Sequence, residues 1–305
     1  MCPKSSLIDP CSCILDQIDC RVTNKDIDLV QIFQTLGKQL PKTGKHFKSF
    51  ELSNSSITEL KENTFSDITF DTIFIHYSPK LRSIHRNAFN GTDQVTKLLT
   101  IADNPILTSP DNSIFDVLSK FINAQSIQIF RNNITEIPSN AFKSNQDQMF
   151  NLELNGETIK MLGNNSFSKM KSLTTLSIWN TSISNIPENA FEFIEKSNKT
   201  FVLYFGDNKY LNSSEFHEKS LTKFNRPALI YLFDFRYMNE RVLSPFFALN
   251  DKNKVEFRYQ MIDCSDCRNY WMQKNFNMLK TKIMNDRCSN GKHLNDTANF
   301  ANCKS

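Results

Sequence analysis

Glycine and tryptophan are scarce in this chain, with 7 and 2 residues in 305. So few glycines argue against a glycine-rich barrel and against flexible interdomain linkers. No apolar run approaches the roughly 20 residues needed to span a bilayer. No basic block stands out among 36 basic and 32 acidic residues, and the formal net charge is only +4. Nucleic acid is therefore not an expected partner. The start, Met1-Cys2-Pro3, has no apolar signal-peptide core, and the end has no hydrophobic tail or lipidation motif. It reads as a mature form whose signal peptide has been removed. There is no G-x-S-x-G elbow, phosphate loop or H-E-x-x-H. His46, His76, His85, His217 and His293 are scattered, with no ligand pair at helical spacing. Catalysis is disfavoured, and neither a cofactor nor a metal is expected.

Cysteine is missing from residues 21–263. Cys2, Cys11, Cys13 and Cys20 precede that gap, and Cys264, Cys267, Cys288 and Cys303 follow it. Thiols kept for reactivity or scattered packing would not cluster this way. Two terminal groups of four suggest two small stapled modules and an oxidising compartment. Asn54, Asn90, Asn133, Asn164, Asn180, Asn198, Asn212 and Asn295 each open an N-x-S/T triplet, which is mild support for a secreted glycoprotein.

Between the cysteine groups one pattern recurs. Two apolar residues flank a variable one, further apolar residues follow at set distances, and a Phe closes most copies. The first copy is Phe50-x-Leu52, Ile57, Leu60, Phe65, and the second is Ile73-x-Ile75, Leu81, Ile84, Phe89. Copies follow at Leu99-x-Ile101 (with Leu107, Pro110, Phe115), Ile127-x-Ile129, Leu152-x-Leu154 and Leu176-x-Ile178. Leu203-x-Phe205 and Ile230-x-Leu232 open looser copies, and Val255-x-Phe257 is a last strand. The second apolar positions, 52, 75, 101, 129, 154, 178, 205, 232 and 257, are 23 to 28 residues apart. An ordinary α/β protein would match such spacing only by coincidence. The alternation is a short strand burying one face, and a stack of coils buries a continuous core that one coil cannot. The closing Phe of each copy is expected inside the coil. The stretch 216–227 reads equally as a broken repeat or a small insertion.

The period and pattern resemble leucine-rich repeats. In that family a polar residue three past the second strand position bonds backbone groups in the turn; Asn104, Asn132 and Asn208 fit. Cys2-Pro3…Cys11-Ser12-Cys13…Cys20 resembles the N-terminal cysteine flank (LRRNT) of extracellular members. The stretch Ile8-Asp9-Pro10-Cys11-Ser12-Cys13 is similar to secreted arthropod members of the Oplophorus-luciferase non-catalytic-subunit type. Cys264-Ser265-Asp266-Cys267, then Tyr270-Trp271-Met272, resembles the C-terminal flank (LRRCT), one residue longer than its usual C-x-C start. The resemblance implies Cys2–Cys13, Cys11–Cys20, Cys264–Cys288 and Cys267–Cys303 pairing, which sequence alone does not establish. Zinc and thioredoxin-like readings of Cys264-x-x-Cys267 lack a second close ligand pair and a βαβ context. The expected architecture is an α/β repeat fold, a leucine-rich-repeat solenoid with a curved parallel β-sheet on its concave face. A cap spans 1–46, repeats 47–259, and a second cap 260–305.

Strand side chains alternate, so residues beside the buried positions face the concave surface. Phe130, Trp179, Tyr204, Tyr231, Phe233 and Tyr259 fall there, with Arg131 and Arg258 beside them. Exposed aromatics with Arg are the usual content of protein-binding hot spots. The plainer reading is aromatics packing on neighbouring strands, and a one-residue slip would turn every face over. Asn54 and Asn180 also fall on this surface, and a glycan at Asn180 would block the patch beside Trp179. The expected function is a secreted non-enzymatic scaffold for a protein or glycoprotein partner, as a homodimer or in a heteromeric complex. The alternatives are a non-catalytic stabilising subunit of a secreted enzyme and innate recognition of microbial surface molecules.

Overall fold

The computed structural model describes residues 2–21, 27–109, 113–143, 147–208, 211, 215–235, 237–259 and 261–303. Pro110 of the third copy and the sequon residue Asn212 lie outside them. The fold is a parallel β-solenoid with disulfides near both ends. The chain forms two compact units, Met1–Ile137 with Ala141–Ile159, and Pro138–Asn140 with Lys160–Ser305. No helix among the described residues is long and apolar enough to cross a membrane.

The first unit opens with an antiparallel hairpin, Ser12–Ile14 against Gln17–Arg21. Its two turn residues, Leu15 and Asp16, have φ of 51° and 62°, as a tight primed turn requires. Disulfides Cys2–Cys13 and Cys11–Cys20 fix it, the pairing that the family resemblance implies. Gln17–Arg21 then lies parallel to His46–Ser53, so the hairpin supplies the sheet's first edge. Helix Leu29–Gln39, capped by Asp28 accepting from the Gln31 N–H at 3.1 Å, carries Phe33 into the core. There Phe33 meets Phe50, Phe65 and Phe70 at 5.2–5.8 Å. The strands Thr69–His76, Leu98–Ala102, Ser126–Phe130 and Asn151–Asn155 continue the sheet in chain order. Pairing is in step: Leu52 opposes Ile75, Ile75 opposes Ile101, Ile101 opposes Ile129, and Ile129 opposes Leu154. All five are buried.

Two devices repeat behind this sheet. The first is asparagine. The Asn132 Oδ1 accepts from the backbone N–H of Asn104 at 3.2 Å and from its side-chain amide at 3.0 Å, while Asn132 Nδ2 donates to the Ile101 carbonyl at 2.8 Å. Asn104 in turn accepts from the Ser78 N–H and donates to Ile75 O. Each side chain thus satisfies backbone groups that a turn leaves unpaired, inside a buried environment where an orphan would be costly. The second is a left-handed residue just past four of these strands: Asn54, Tyr77, Asp103 and Arg131 all have φ between 44° and 56°. Their N–H groups donate to carbonyls one coil on: Tyr77 O, Ala102 O, Phe130 O and Asn155 O.

In the second unit Thr175–Trp179, Phe201–Gly206, Ala228–Phe233 and Lys254–Arg258 pair in parallel. Phe167, Phe191 and Phe224 stack nearly coplanar, 6.3 and 6.0 Å apart, at 9° and 5°. The stretch 216–227 is therefore a coil of the repeat: Phe216 bridges to Ile186, and Phe224 continues the Phe column. In the first unit the column runs Phe33, Phe65, Phe89, Phe121, whereas Phe115, on the short helix Ser113–Leu118, meets Phe142 instead. Arg226 is buried, donating to Leu173 O and Glu195 O over the Phe193 ring, and burial pushes its pKa down. The last strand is covered through a Val255–Ile283 bridge. Cys264–Cys288 and Cys267–Cys303 close the end, and the buried Trp271 indole donates to Met238 O at 3.1 Å. Cys264 and Cys267 are thus committed to disulfides rather than to a metal or redox pair.

Asn132→Ala strands the Asn104 N–H and the Ile101 carbonyl together. It is expected to cost on the order of 2–3 kcal/mol, the penalty of unpaired buried groups, read as a lower urea midpoint with unchanged slope. A loss within a few tenths of a kcal/mol would show that water replaces the amide.

Candidate interaction surface

Parallel register places Trp179, Gly206 and Phe233 side by side at the ends of three successive strands. The glycine between them decides the geometry. A Cβ on Gly206 would lie 2.5 Å from the Phe233 Cβ and 2.8 Å from the Trp179 ring. Without it the two rings meet above the backbone, centroids 4.4 Å apart and tilted by 51°. Tyr259 continues the row, 5.2 Å from Phe233. Held between these rings, Phe233 is only 6% exposed, which corrects the expectation that it faces solvent. Trp179 is half-buried, and Tyr259 is 83% exposed on a left-handed φ of 63°.

A second row lies beside the first. Tyr204 and Tyr231 stack at 4.8 Å and 7°, and the Arg258 guanidinium sits 4.4 Å over Tyr231. Arg258 Nε also holds Glu256 at 2.8 Å. With their faces against each other, the two tyrosines offer ring edges and hydroxyls to a ligand. Beyond the rows stand Asn180, Asp207 and Asp234, left-handed like Tyr259, at φ of 49° to 65°.

The corresponding face of the first unit is different. Asp19 pairs with Arg21, which reaches Glu51 at 3.6 Å, and Glu51 meets His76 at 3.0 Å. Thr100 donates to Gln128 at 3.0 Å. Arg131 forks onto Asp103 at 2.6 and 2.8 Å, so it is not a free cation, and Phe130 beside it is half-buried.

The repeat is also recognisable in sequence. Residues 20–118 and 117–237 match the BspA type leucine rich repeat region, in six copies. The chain belongs to this leucine-rich-repeat family. No curated protein matches its sequence. Among solved structures it is similar to human 5T4 (Wnt-activated inhibitory factor 1, trophoblast glycoprotein), at 13% identity and a TM-score of 0.53, over 95% of this chain and 92% of that one. It is also similar to a chain of the Drosophila Toll–Spatzle complex, at 16% identity and a TM-score of 0.53, over 81% of this chain and 31% of that one. At such identities the likeness is one of fold.

Within this leucine-rich-repeat chain the left-handed position takes Asn, Tyr, Asp or Arg, and Gly156 is the exception, without a positive φ. Of the described sequon residues, Asn54, Asn164, Asn198 and Asn295 are exposed, and Asn90, Asn133 and Asn180 are half-buried. Among the described residues no group of three or more His, Cys, Asp or Glu could hold a metal. Gly206, Asp207 and Asp234 were not singled out by sequence reasoning; the available signal was a glycine at a position where neighbouring repeats carry Trp and Phe.

Gly206→Ala forces a Cβ into the ring contact. It is expected to destabilise the second unit by about 1–3 kcal/mol, the usual cost of overpacking, with near-ultraviolet dichroism of Trp179 altered. An unchanged thermal midpoint and spectrum would show that the rings part freely.

Glu153, on the outward face of the first unit, gives a pH signature. Burial raises its pKa above the ordinary 4.5. The folded state therefore holds the proton more tightly than the unfolded chain, and stability falls as pH rises from that value through the raised folded one. Glu153→Gln is expected to raise the melting temperature at neutral pH and to flatten its decline above the acid range. Parallel pH profiles for the two proteins would remove Glu153 as the cause.

Proposed function

We propose that the chain is a secreted, non-enzymatic binding scaffold whose second unit takes a protein or glycoprotein partner on its outward sheet face. The observation that carries this reading is the aromatic content of a surface that alternation assigns to solvent. Trp179, Tyr204, Tyr231 and Tyr259 supply contacts, Arg258 lies over Tyr231 while paired with Glu256, and Phe233 backs them from beneath. Large aromatics and Arg dominate interface energetics, and rings fixed against one another lose little freedom on binding. Arg131 in the first unit is spent on Asp103, which makes it and Phe130 weaker candidates. The four disulfides support an oxidising compartment, and the bonded ends serve as caps on the apolar core. A glycan at Asn180 would narrow the face at its Trp179 end and leave the Tyr259 end open.

The test is capture from native secretion with the purified chain, compared with a Trp179→Ala/Tyr259→Ala variant checked for an unchanged melting temperature. Each anchor is expected to contribute about 2 kcal/mol, roughly 30-fold in affinity. A partner held equally by both proteins would move the site elsewhere. A fixed stoichiometry with a co-purifying enzyme would favour the stabilising-subunit role.

A further inference from the structure

The chemistry of the partner segment can be read from the charges that rim this face, an inference that rests on the binding reading above. Asp207 and Asp234 stand at equivalent places one coil apart, immediately after Gly206 and Phe233. Both are exposed, and both are held by a left-handed backbone, at φ of 54° and 65°. Neither has a side-chain hydrogen bond or ion pair among the described residues. Asp103 occupies the same place in the first unit and is satisfied by Arg131. On the aromatic rows themselves Arg258 and Glu256 form a charged pair that cancels internally at 2.8 Å. What remains among the described residues is a ridge of rings, Trp179, Phe233 and Tyr259, edged by two carboxylates that no described side chain pairs.

We infer that this face binds a cationic, partly apolar polypeptide segment of a partner protein, with Arg or Lys side chains lying over the accessible rings and their charges met by Asp207 and Asp234. A ring face flanked by carboxylate favours a cation twice, through the quadrupole and through the charge. An acidic segment would meet like charge at both positions. A neutral glycan would leave both carboxylate charges uncompensated, whereas a cationic polypeptide meets them.

Two measurements on the intact chain test this. Trp271 is buried, so collisional quenchers report on Trp179. Caesium is expected to quench it more than iodide does, relative to neutral acrylamide, and Asp207→Asn/Asp234→Asn is expected to abolish that preference. Asn is tolerated at left-handed φ, so the variant keeps the backbone. Lys209 and Arg236 follow the two acids in sequence and lie outside the described residues; quenching reads the net field of all these charges. The second measurement uses two short peptides of identical aromatic spacing, one with Arg and Lys, the other with Glu in their places. The basic peptide is expected to bind at least about tenfold tighter, to weaken with added salt as exposed charges are screened, and to lose that advantage on the double Asn variant. Equal affinities, no binding by either peptide, or an iodide preference would each overturn the inference. A natural partner lost on Trp179→Ala/Tyr259→Ala but retained by Asp207→Asn/Asp234→Asn would leave the binding surface standing and overturn its cationic specificity.

Discussion

A five-residue strand in a coil of this kind has no interior of its own. Its apolar side chains, its backbone donors and its turn all depend on the next coil arriving in register. Leu52, Ile75, Ile101, Ile129 and Leu154 share one row because each strand is paired in step with the next. A slip of one residue would exchange that row for Ser53, His76, Ala102, Phe130 and Asn155. The buried asparagines make such a slip costly a second way. Asn132 reaches Ile101 O and the Asn104 N–H only at the observed offset, and a displaced amide would be a buried group without partners. Fold and surface are therefore fixed by the same constraint: whatever pins the apolar row inward also decides which residues point out.

The left-handed residue that follows most of the strands turns this constraint into a surface device. An L-residue with a side chain is disfavoured there by roughly 1–2 kcal/mol, and Asn and Asp are the types that tolerate it best. Asn54, Asp103, Asn180, Asp207 and Asp234 need no further account on that score. Arg131 offsets the strain with a forked bond to Asp103, and Tyr77 packs beside His76 at 5.1 Å. Tyr259 has the least return, with one tilted contact to Phe233 and 83% of its surface in solvent. Strain that local contacts do not repay is a reason to look for a role outside the folded monomer.

Much of this was legible from residue spacing. Every apolar strand pair from Phe50-x-Leu52 to Val255-x-Phe257 is buried, because period-two alternation sets both residues on one face and the repeat stacks that face on its neighbours. What was hidden depended on a neighbour's shape. Phe233 belongs by alternation to the outward face, yet it is buried because Gly206 leaves room for Trp179 to close over it. That outcome needs three strands read at once. Likewise Phe121 takes the place in the Phe column that spacing assigns to Phe115, since a short helix over Ser113–Leu118 carries Phe115 off toward Phe142. The stretch 216–227 escaped recognition because Phe216 and Phe224 are spaced more widely than the corresponding pair Ile186 and Phe191. The coil keeps its bridge and its stacked ring while losing the interval by which sequence finds it.

The two sheet faces show what register leaves free to vary. In the first unit, outward polar residues engage one another: Arg21 bridges Asp19 and Glu51, Glu51 meets His76, and Thr100 donates to Gln128. A partner binding there would have to displace bonds already made, and the exchange gains little. In the second unit the opposing residues are rings, whose contacts with each other survive when their remaining edges and faces are covered. Ring-on-ring packing also holds each side chain near one rotamer before anything binds, so less entropy is lost on association than for isolated exposed side chains. The same scaffold thus carries one face whose polar side chains largely engage one another and one made of ordered rings, and the difference lies in a few outward residues that the core does not constrain.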